Sequence, residues 1–404
     1  MSDATQSGLQ PGTSALHRLC TATPDEFARE VWARRAWLSR AADLPGDVSD
    51  VFSRSAADEL LSSHGLRTPF LRMAKDGKVI PTSRFTGPGG AGAMVADQIH
   101  DEAVLGLFSD GATVVLQGLH RTWQPVSVLA AGLAADLGHP VQVNSYITPP
   151  QSQGFAPHYD THDVFVLQID GRKHWRIHEP VLAQPLPDEP WDTVADQVAQ
   201  RAAEPPVLDV TLQPGDCLYL PRGFLHAATA LGETSIHLTF GIHATTERDV
   251  VRALADKLVD ASWRASMPVG WEPSEDSLTA LRDRAVAALA ALDLTAVATQ
   301  LGADRARKQR PEPLSPLAQA QIAADLSQDT SIRLRRGIAA RLANSAVVFS
   351  TGSITISEDE REAVSLLLKG QEVRVGELPL AEPAALDLAA RLLRSGAVVP
   401  GAEA

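Results

Sequence analysis

Residues 141 to 243 contain many short strand-like runs joined by turns, and this pattern limits the possible folds of the chain more than any other. Alternating or β-branched runs lie at 141–147, 163–169, 174–178, 207–212, 217–220 and 235–243. The turn residues between them are Pro149-Pro150, Gly171, Pro214-Gly215-Asp216 and Pro221-Arg222-Gly223. Many short strands with such turns predict a sandwich or a barrel. A Pro-rich insertion at 181–206 interrupts the series.

The residues before this region predict a mixture of helices and loops. The first residues are rich in Ser, Thr, Gly and Gln, and we expect 1–22 to be disordered. A helical pattern covers 23–44, with Pro24 near its start and Pro45-Gly46 just past its end. Three further elements are expected: a loop at 81–93, a short strand at 112–117, and an amphipathic helix at 124–137 that ends near Gly138.

The second half of the chain is dominated by helical patterns. Residues 247–265 and 277–301 have a helical period, and a Pro-rich linker follows at 308–316. Beyond it, helices are expected near 317–327, 357–369 and 380–396, with short β-prone runs at 346–349 and 397–399. That order is compatible with a winged helix.

The composition excludes several classes of protein. A chain of 404 residues suits two or three domains, and its formal charge of -13 argues against a polyanion binder. An acidic surface tolerates a cationic partner, although it could serve solubility alone. Cys20 and Cys217 are too few for a disulfide framework or a thiolate zinc site. Residues 1–15 lack a signal core and no apolar stretch is long enough to cross a bilayer, so we expect a cytoplasmic protein without membrane contact.

A candidate metal site begins with His158 and Asp160. Residues two apart in a strand point to the same face, so this pair can present an imidazole and a carboxylate to one point inside a barrel. The third ligand must come from elsewhere, and His226 follows the turn after the 217–220 run. Two histidines and one carboxylate on one face of an octahedral iron leave three positions open. Taken alone, a His-x-Asp pair arises by chance, and a polar strand edge is the alternative.

The run at 141–147 favours a polar interior. Gln142, Asn144 and Tyr146 share one face of the predicted strand. Because a small barrel normally fills its interior with apolar side chains, a polar face suggests an interior that binds a ligand. A polar face turned to solvent explains this strand equally well.

Five runs of residues form a specific combination. They are Val141-Gln142-Val143-Asn144-Ser145-Tyr146, Gly154-Phe155-Ala156-Pro157-His158-Tyr159-Asp160, Asp163-Val164-Phe165-Val166-Leu167-Gln168, Gly171-Arg172-Lys173-His174-Trp175 and Pro214-Gly215-Asp216-Cys217-Leu218-Tyr219-Leu220-Pro221-Arg222-Gly223-Phe224-Leu225-His226. In this order and spacing they resemble the JmjC ribosomal oxygenase family. The resemblance is close over about 140–243, is consistent over 112–123, and concerns only the layout in the C-terminal half.

The resemblance implies an α+β chain built on a double-stranded β-helix barrel of the JmjC/cupin class, with a helical dimerisation segment and a C-terminal winged-helix domain. The implied boundaries are 1–22 for the disordered N-terminus, 23–245 for the catalytic domain, 246–310 for the helical segment and 317–404 for the winged-helix-like domain. The implied activity is an Fe(II)- and 2-oxoglutarate-dependent dioxygenase that uses dioxygen to hydroxylate an arginine or histidine of a protein or peptide substrate. A basic ribosomal protein is the expected partner, and a homodimer the expected assembly.

The resemblance also implies roles for single residues. His158, Asp160 and His226 fall on the family's metal triad. Lys173 occupies the position of the cation that holds the distal carboxylate of 2-oxoglutarate. Asn144, Tyr146 and Thr239 are further candidates for this co-substrate pocket, with Thr239 an even choice against a plain strand residue. By strand period, His162 shares the face of the first two ligands; a rival ligand is one reading, and a position beside the metal or the substrate is favoured. Trp175 is expected in the core, and the ordinary strand histidines are expected to be His174, His178, His237 and His243.

Several alternatives stay open. The same chemistry could serve a lysine demethylase or a hydroxylase that tailors a peptide natural product. A DNA-binding regulator is disfavoured, because 316–404 contains nine Lys and Arg residues against eleven Asp and Glu residues. The segment 179–206, which includes the insertion, carries six acids against Arg201 alone, and we interpret them as a surface for a basic substrate or as a solvated loop. These acids are Glu179, Asp188, Glu189, Asp192, Asp196 and Glu204.

Overall fold

The structure is a computed structural model that describes residues 14–75, 77–150, 152, 156–349 and 352–401. The α-helices of this part of the chain are α1 (Pro24–Glu26), α2 (Arg54–Ser63), α3 (Asp101–Ser109), α4 (Leu119–Thr122), α5 (Gln124–Leu137), α6 (Ala195–Ala202), α7 (Glu247–Ala255), α8 (Ala261–Arg264), α9 (Glu275–Ala290), α10 (Leu294–Lys308), α11 (Pro316–Ile322), α12 (Arg361–Leu368) and α13 (Glu382–Ser395). A π-helical turn covers Phe27–Val31, and 3₁₀ turns cover Ala41–Asp43, Thr82–Arg84, Trp191–Val194 and Val375–Glu377.

The strands of the first 245 residues are β1 (Trp37–Ser39), β2 (Leu71–Lys75), β3 (Lys78–Val79), β4 (Thr86–Gly87), β5 (Gln98–Ile99), β6 (Thr113–Leu116), β7 (Val141–Thr148), β8 (Asp163–Asp170), β9 (Lys173–His178), β10 (Leu208–Leu212), β11 (Cys217–Leu220), β12 (Leu225–Ala230) and β13 (Ser235–Ile242). Those of the C-terminal part are β14 (Ser331–Leu334), β15 (Ala340–Ala343), β16 (Ala346–Phe349), β17 (Gly352–Thr355), β18 (Val373–Arg374) and β19 (Val398–Pro400). The six predicted strands between 141 and 243 are confirmed to within a residue at most ends.

Two antiparallel sheets form the predicted barrel. The larger sheet has eight strands in the order β1-β11-β8-β13-β7-β6-β2-β3, and the smaller has three in the order β10-β9-β12. Val164 and Val166 of β8 pack between the sheets with Trp175 and Ile177 of β9. Phe165, one residue away, points to the opposite face and joins the larger apolar core. Strand β8 is apolar on both faces because each face is covered.

Helix α5, which the sequence predicts at 124–137, covers the outer face of the larger sheet. Val126, Leu129 and Leu133 are buried in the same core as Phe165. The helix has a proline in its first turn, and it ends where Gly138 adopts a left-handed conformation with φ of 74°. This packing fixes β7, which pairs with both β13 and β6.

Two N-terminal predictions are wrong in part. The helix predicted over 23–44 ends at Val31, and Trp37–Ser39 instead pairs with Tyr219, Leu218 and Cys217 at the edge of the larger sheet. The disorder predicted for 1–22 does not extend to residues 14–22, because Leu16 and Leu19 are buried in the core. Residues 1–13 of that prediction lie outside the described residues.

The C-terminal residues form a second core. Helices α11, α12 and α13 pack with two small sheets, in the orders β18-β14-β19 and β15-β16-β17. The predicted helices are present but shorter, and β14, β15, β17 and β18 were not predicted. The link to the barrel includes Gln309, whose Oε1 accepts a hydrogen bond of 2.8 Å from the N–H of Val141.

Four helices, α7 to α10, lie between these two parts. In the described part of the chain, no single helix has the length and apolar character needed to cross a membrane, and α9 with α10 meets that test only as a pair bent by 88°.

Candidate active site

The structure brings His158, Asp160 and His226 together. One ligand atom of each lies within 4.8 Å of the others, and Nε2 of His226 is 3.8 Å from Oδ2 of Asp160. His158 and His226 also pair through their backbones, with N–H···O distances of 3.3 and 2.8 Å. Strand geometry for residues 158–160 was the wrong reason for their proximity. Only an isolated bridge at His158 forms there, and the carboxylate of Asp160 follows it in an irregular segment.

Both histidines are held in one tautomer. Nδ1 of His158 lies 2.8 Å from the carbonyl oxygen of Ala156, and Nδ1 of His226 lies 3.1 Å from that of Phe224. A carbonyl oxygen can only accept, so each Nδ1 carries a proton, and Nε2 is the ring nitrogen that remains to bind a metal. Burial lowers the pKa of His226 to about 4, which keeps its imidazole neutral at physiological pH.

Asp160 is ionised in this setting. Burial raises its pKa, but the imidazoles of His162, His226 and His158 outweigh that effect and hold the pKa below its ordinary value. Two imidazoles and a carboxylate are a donor set that suits a divalent transition metal and leaves further positions open. The three side chains therefore fit the metal site predicted from the sequence.

A cavity of about 250 Å³ lies next to these three side chains, inside the barrel. Its walls come from β2, β6, β7, β8, β9, β12 and β13 and from the insertion. They are formed by Arg72, Thr113, Tyr146, His158, Asp160, Val164, Val166, Lys173, Trp175, Trp191, His226, Ala227, Ala228, His237 and Thr239. The polar face predicted for β7 thus points inward in part, because Tyr146 lines the cavity.

Lys173 is buried in this cavity with 3% of its surface exposed. Its Nζ donates a hydrogen bond of 3.0 Å to Oγ1 of Thr148, and no carboxylate of the described residues lies within ion-pair distance of it. Burial lowers the pKa of Lys173 to about 7. Burying an ammonium group without a neighbouring acid costs free energy. This side chain is therefore placed to bind an anion in the cavity.

Three further polar atoms of the cavity wall lack a partner. Nε1 of Trp175, Nδ1 of His237 and Oγ1 of Thr239 are buried and have no hydrogen-bond partner among the described residues. Tyr146 stacks on His237 with ring centroids 5.1 Å apart, and burial raises the pKa of its hydroxyl to about 12, so it stays protonated. Buried polar groups are normally paired. Lys173 and these groups fit a small polar anion such as a dicarboxylate.

The cavity revises the predictions for Asn144 and His237 and adds to those for Trp175 and His162. Asn144 does not line it, because Oδ1 of Asn144 accepts a hydrogen bond from the N–H of Gly118 and borders a neighbouring pocket instead. His237 is not an ordinary strand histidine, since it lies in the wall beside Tyr146. Trp175 is buried as expected but also reaches the cavity. His162 stands outside the three-residue cluster, with its ring 5.4 Å from that of His243.

Several residues of the wall were not predicted from the sequence, among them Arg72 and Trp191. Arg72 comes from β2, more than 70 residues before the first ligand, and Trp191 comes from the insertion. The ring of Trp191 lies 6.4 Å from that of His158, and 37% of its surface is exposed. A tryptophan within a Pro-rich, acidic insertion is the sequence feature that could have indicated a residue at the entrance of the cavity. Phe155 and Gly154 of the matching motif lie outside the described residues.

The part of the barrel that holds the three candidate ligands matches a JmjC domain. Residues 120–250 match the family model of the JmjC domain. Ribosomal oxygenase 1 of Homo sapiens is 32% identical over 245 residues, covering 59% of this chain and 36% of that protein. The bifunctional lysine-specific demethylase and histidyl-hydroxylase NO66 of Culex quinquefasciatus is 31% identical over 232 residues, covering 55% of this chain and 32% of that protein.

The likeness to solved structures extends over nearly the whole chain. The crystal structure of Escherichia coli ribosomal oxygenase YcfD matches with a TM-score of 0.57 at 18% identity, covering 95% of this chain and 99% of that one. A structure of YcfD in complex with cobalt and 2-oxoglutarate matches with a TM-score of 0.55. The chain therefore contains a JmjC domain at 120–250 and is similar to ribosomal oxygenases over 54–59% of its length. It spans about a third of the length of the curated relatives it matches.

Proposed function

We propose that this protein is an Fe(II)- and 2-oxoglutarate-dependent dioxygenase that hydroxylates a side chain of a protein substrate. The observation that carries the proposal is the placement of a buried lysine without an acid in the same cavity as a two-histidine, one-carboxylate cluster. Iron sites of this donor set leave three positions for a chelating oxoacid and dioxygen. Lys173 supplies the charge for the distal carboxylate of the oxoacid.

Each part of the cavity has a role in this proposal. His158, Asp160 and His226 hold the metal, and their fixed tautomers present Nε2 to it. Lys173, Thr239 and Tyr146 bind and orient 2-oxoglutarate, and His237 and Trp175 complete its polar surroundings. When bound, the iron and 2-oxoglutarate use dioxygen to convert a C–H bond into an alcohol, with release of succinate and carbon dioxide. The apolar walls at Val164 and Val166 limit the access of water to this reaction.

We further propose that the substrate is a basic ribosomal protein. Names of the relatives include ribosomal oxygenases and a histidyl-hydroxylase. The insertion supports a basic partner, since Asp192 and Asp196 are exposed in the same segment as Trp191, of whose surface 37% is exposed. A cationic side chain over that ring would gain a cation–π contact at the mouth of the cavity. Asp188 contributes less to this surface, because it pairs with Arg248.

The test combines the purified protein with Fe(II), 2-oxoglutarate and ribosomal proteins from a strain that lacks the gene. We expect succinate to form together with a mass gain of one oxygen atom on one ribosomal protein, and Asp160→Ala to abolish both. Release of formaldehyde would assign a demethylase instead. Succinate formed with a small peptide but not with any ribosomal protein would assign a natural-product hydroxylase. Turnover retained in Asp160→Ala would contradict the metal site.

We propose that the catalytic domain covers 23–245 and that the helical segment 246–310 forms a homodimer. Several large apolar side chains of this segment are exposed, among them Val251, Val286 and Leu294, which supports a partner on this face. We expect a dimer in sedimentation at micromolar concentration and its dissociation by Val286→Glu. Leu105→Glu is the control, since Leu105 is similarly exposed on α3, outside the segment. A wild-type monomer would reject the dimer.

We propose that residues 317–404 form a winged-helix domain that contacts protein rather than DNA. Its small sheets and three helices support this, as does its excess of acids over bases. A salt-dependent shift of duplex DNA would contradict it. The cytoplasmic location stays a prediction.

A further inference from the structure

The buried pair of Asp163 and Arg222 has no part in the proposed chemistry, yet it lies between the two segments that carry the ligands. Asp163 is fully buried, and its Oδ2 lies 3.2 Å from Nη1 of Arg222, whose side chain is 10% exposed. Asp163 follows Asp160 by three residues and Arg222 precedes His226 by four. The pair therefore joins the start of β8 to the turn that leads into β12.

Asp163 receives more than one donor. Its Oδ1 accepts a hydrogen bond of 2.9 Å from the hydroxyl of Tyr219 and one of 3.4 Å from the backbone N–H of Arg222. The backbone contact fixes the turn itself, and not only the side chain of Arg222. One residue further, the N–H of Gly223 donates to the carbonyl oxygen of Asp160 at 3.1 Å. The turn thus bonds directly to the backbone of a ligand.

The same turn also touches the insertion. Nη2 of Arg222 lies 3.3 Å from Oε1 of Gln184, and Nε2 of Gln184 lies 3.3 Å from the carbonyl oxygen of Ala33. Gly223 has a φ of 91°, and a Cβ there would lie 2.5 Å from the carbonyl oxygen of Leu182. Only glycine allows this approach. The insertion that carries Trp191 therefore packs on the turn that positions His226.

Stability alone does not account for the pair. Burial raises the pKa of Asp163 even though Arg222 and Tyr219 act to lower it. Nε of Arg222 also lacks a hydrogen-bond partner among the described residues. A buried ion pair is often no more stabilising than apolar residues of the same volume, and fixing a particular conformation is one use for which such pairs are retained.

We propose that Asp163 and Arg222 are positioning residues, which hold the Asp160 and His226 segments together at the spacing the metal requires and connect that spacing to the insertion. This inference rests on the proposed metal site. Residues that orient metal ligands without touching the metal are important for metal binding, and their mutation typically weakens the metal affinity by about 10- to 100-fold.

The test measures Co²⁺ binding by the purified full chain, by calorimetry and by the visible absorption of the bound ion. We expect Asp163→Asn to weaken Co²⁺ binding by about 10- to 100-fold and to change the spectrum. Arg222→Gln should act in the same direction, and Arg222→Lys, which keeps the charge, should recover part of the affinity. A variant Asp163→Asn that does not fold is replaced by Tyr219→Phe, which removes only one donor to Asp163 and should give a smaller loss.

Asp216→Asn is the matched control. Asp216 is buried at the opposite end of β11 and accepts from Arg40 at 2.7 Å and from the N–H of Ala41 at 3.0 Å, without contact to a ligand segment. It should lower the melting temperature and leave the Co²⁺ affinity unchanged. Equal affinities for Asp163→Asn, Arg222→Gln and the wild type would overturn the inference. A wild type that binds no Co²⁺ would overturn the metal site itself, which separates the two failures.

Discussion

Lys173 illustrates how one buried residue can define a ligand. Its ammonium group has Thr148 as a hydrogen-bond partner and, in the described part of the chain, no acid beside it. Lys173→Ala should therefore weaken 2-oxoglutarate binding by at least about tenfold, and Lys173→Arg should retain most of it because an arginine keeps the charge. Calorimetry with the Co²⁺-loaded protein measures this. Loss of Co²⁺ binding in Lys173→Ala would instead mean that the lysine supports the metal site.

The pH dependence of co-substrate binding follows from the same residue. The pKa of Lys173 is about 7 without an anion, so the lysine is protonated below pH 7 and increasingly neutral above it. Because the carboxylate binds the protonated form, the Kd of 2-oxoglutarate should rise by up to about tenfold per pH unit above pH 7, with proton uptake on binding. Calorimetry in buffers of different ionisation enthalpy detects that proton. Lys173→Arg should bind without proton uptake, and uptake in that variant would exclude Lys173 as its source.

The site residues that could be predicted from the sequence lie in local motifs, whereas the others come from distant parts of the chain. His158, Asp160 and His226 stand in short motifs beside strong turn signals, so their spacing could be read locally. Arg72 reaches the same cavity from the second-last strand of the larger sheet, Trp191 from the insertion and His237 from a central strand. Their place depends on the pairing of distant strands, which a local pattern does not contain.

At the level of single elements, the turn between β8 and β9 requires a glycine at position 171. Gly171 has a φ of 61°, and a Cβ there would lie 2.2 Å from the carbonyl oxygen of Thr234. Gly171→Ala should lower the free energy of unfolding by about 2–5 kcal/mol, from the left-handed backbone and the clash together. Gly232→Ala is the control, since Gly232 has a φ of 73° and open space around it.

That control should cost only about 1–2 kcal/mol, for the left-handed backbone alone. Urea unfolding followed by circular dichroism measures both variants. Equal losses would mean that the chain relieves the contact with Thr234 by a small shift of the turn.

The strands that were missed are short or poor in β-branched residues. Strand β12 has the sequence Leu-His-Ala-Ala-Thr-Ala, which has little intrinsic strand preference, and forms because it pairs with β9 along its whole length. Strand β1 has three residues and forms at the edge beside β11. The strongly alternating and β-branched runs, by contrast, were placed correctly, because the barrel buries at least one face of each.

The whole molecule carries a formal charge of -13, and we expect this charge to strengthen the binding of a basic substrate. Raising the ionic strength from 0.05 to about 0.5 M shortens the Debye length severalfold, so the KM for a basic ribosomal protein should rise while kcat stays nearly constant. Asp192→Asn with Asp196→Asn should reduce that salt dependence. Steady-state kinetics at several salt concentrations measures it, and a KM independent of salt would leave the acidic surface with a role in solubility only.

The order of the larger units along the chain could be predicted, whereas their packing could not. Helical periodicity and the Pro-rich linker mark the change from barrel to helices to C-terminal module. The buried hydrogen bond between Gln309 and Val141, which fastens the linker to the barrel, joins residues 168 positions apart and has no local signal.

The backbone bridge between His158 and His226 bears on which ions the protein can accept. Two residues that exchange both N–H···O bonds keep their Cα atoms about 5.5 Å apart, and the fixed tautomers set the direction of each Nε2. The site therefore has little freedom to expand. A large ion that needs six to eight oxygen ligands, such as calcium, does not fit this site, because of both its size and the nitrogen donors. Iron, cobalt, nickel and manganese are all suited to the same three ligands. Which of these smaller ions binds then depends on their concentrations in the cell rather than on the geometry of the three ligands.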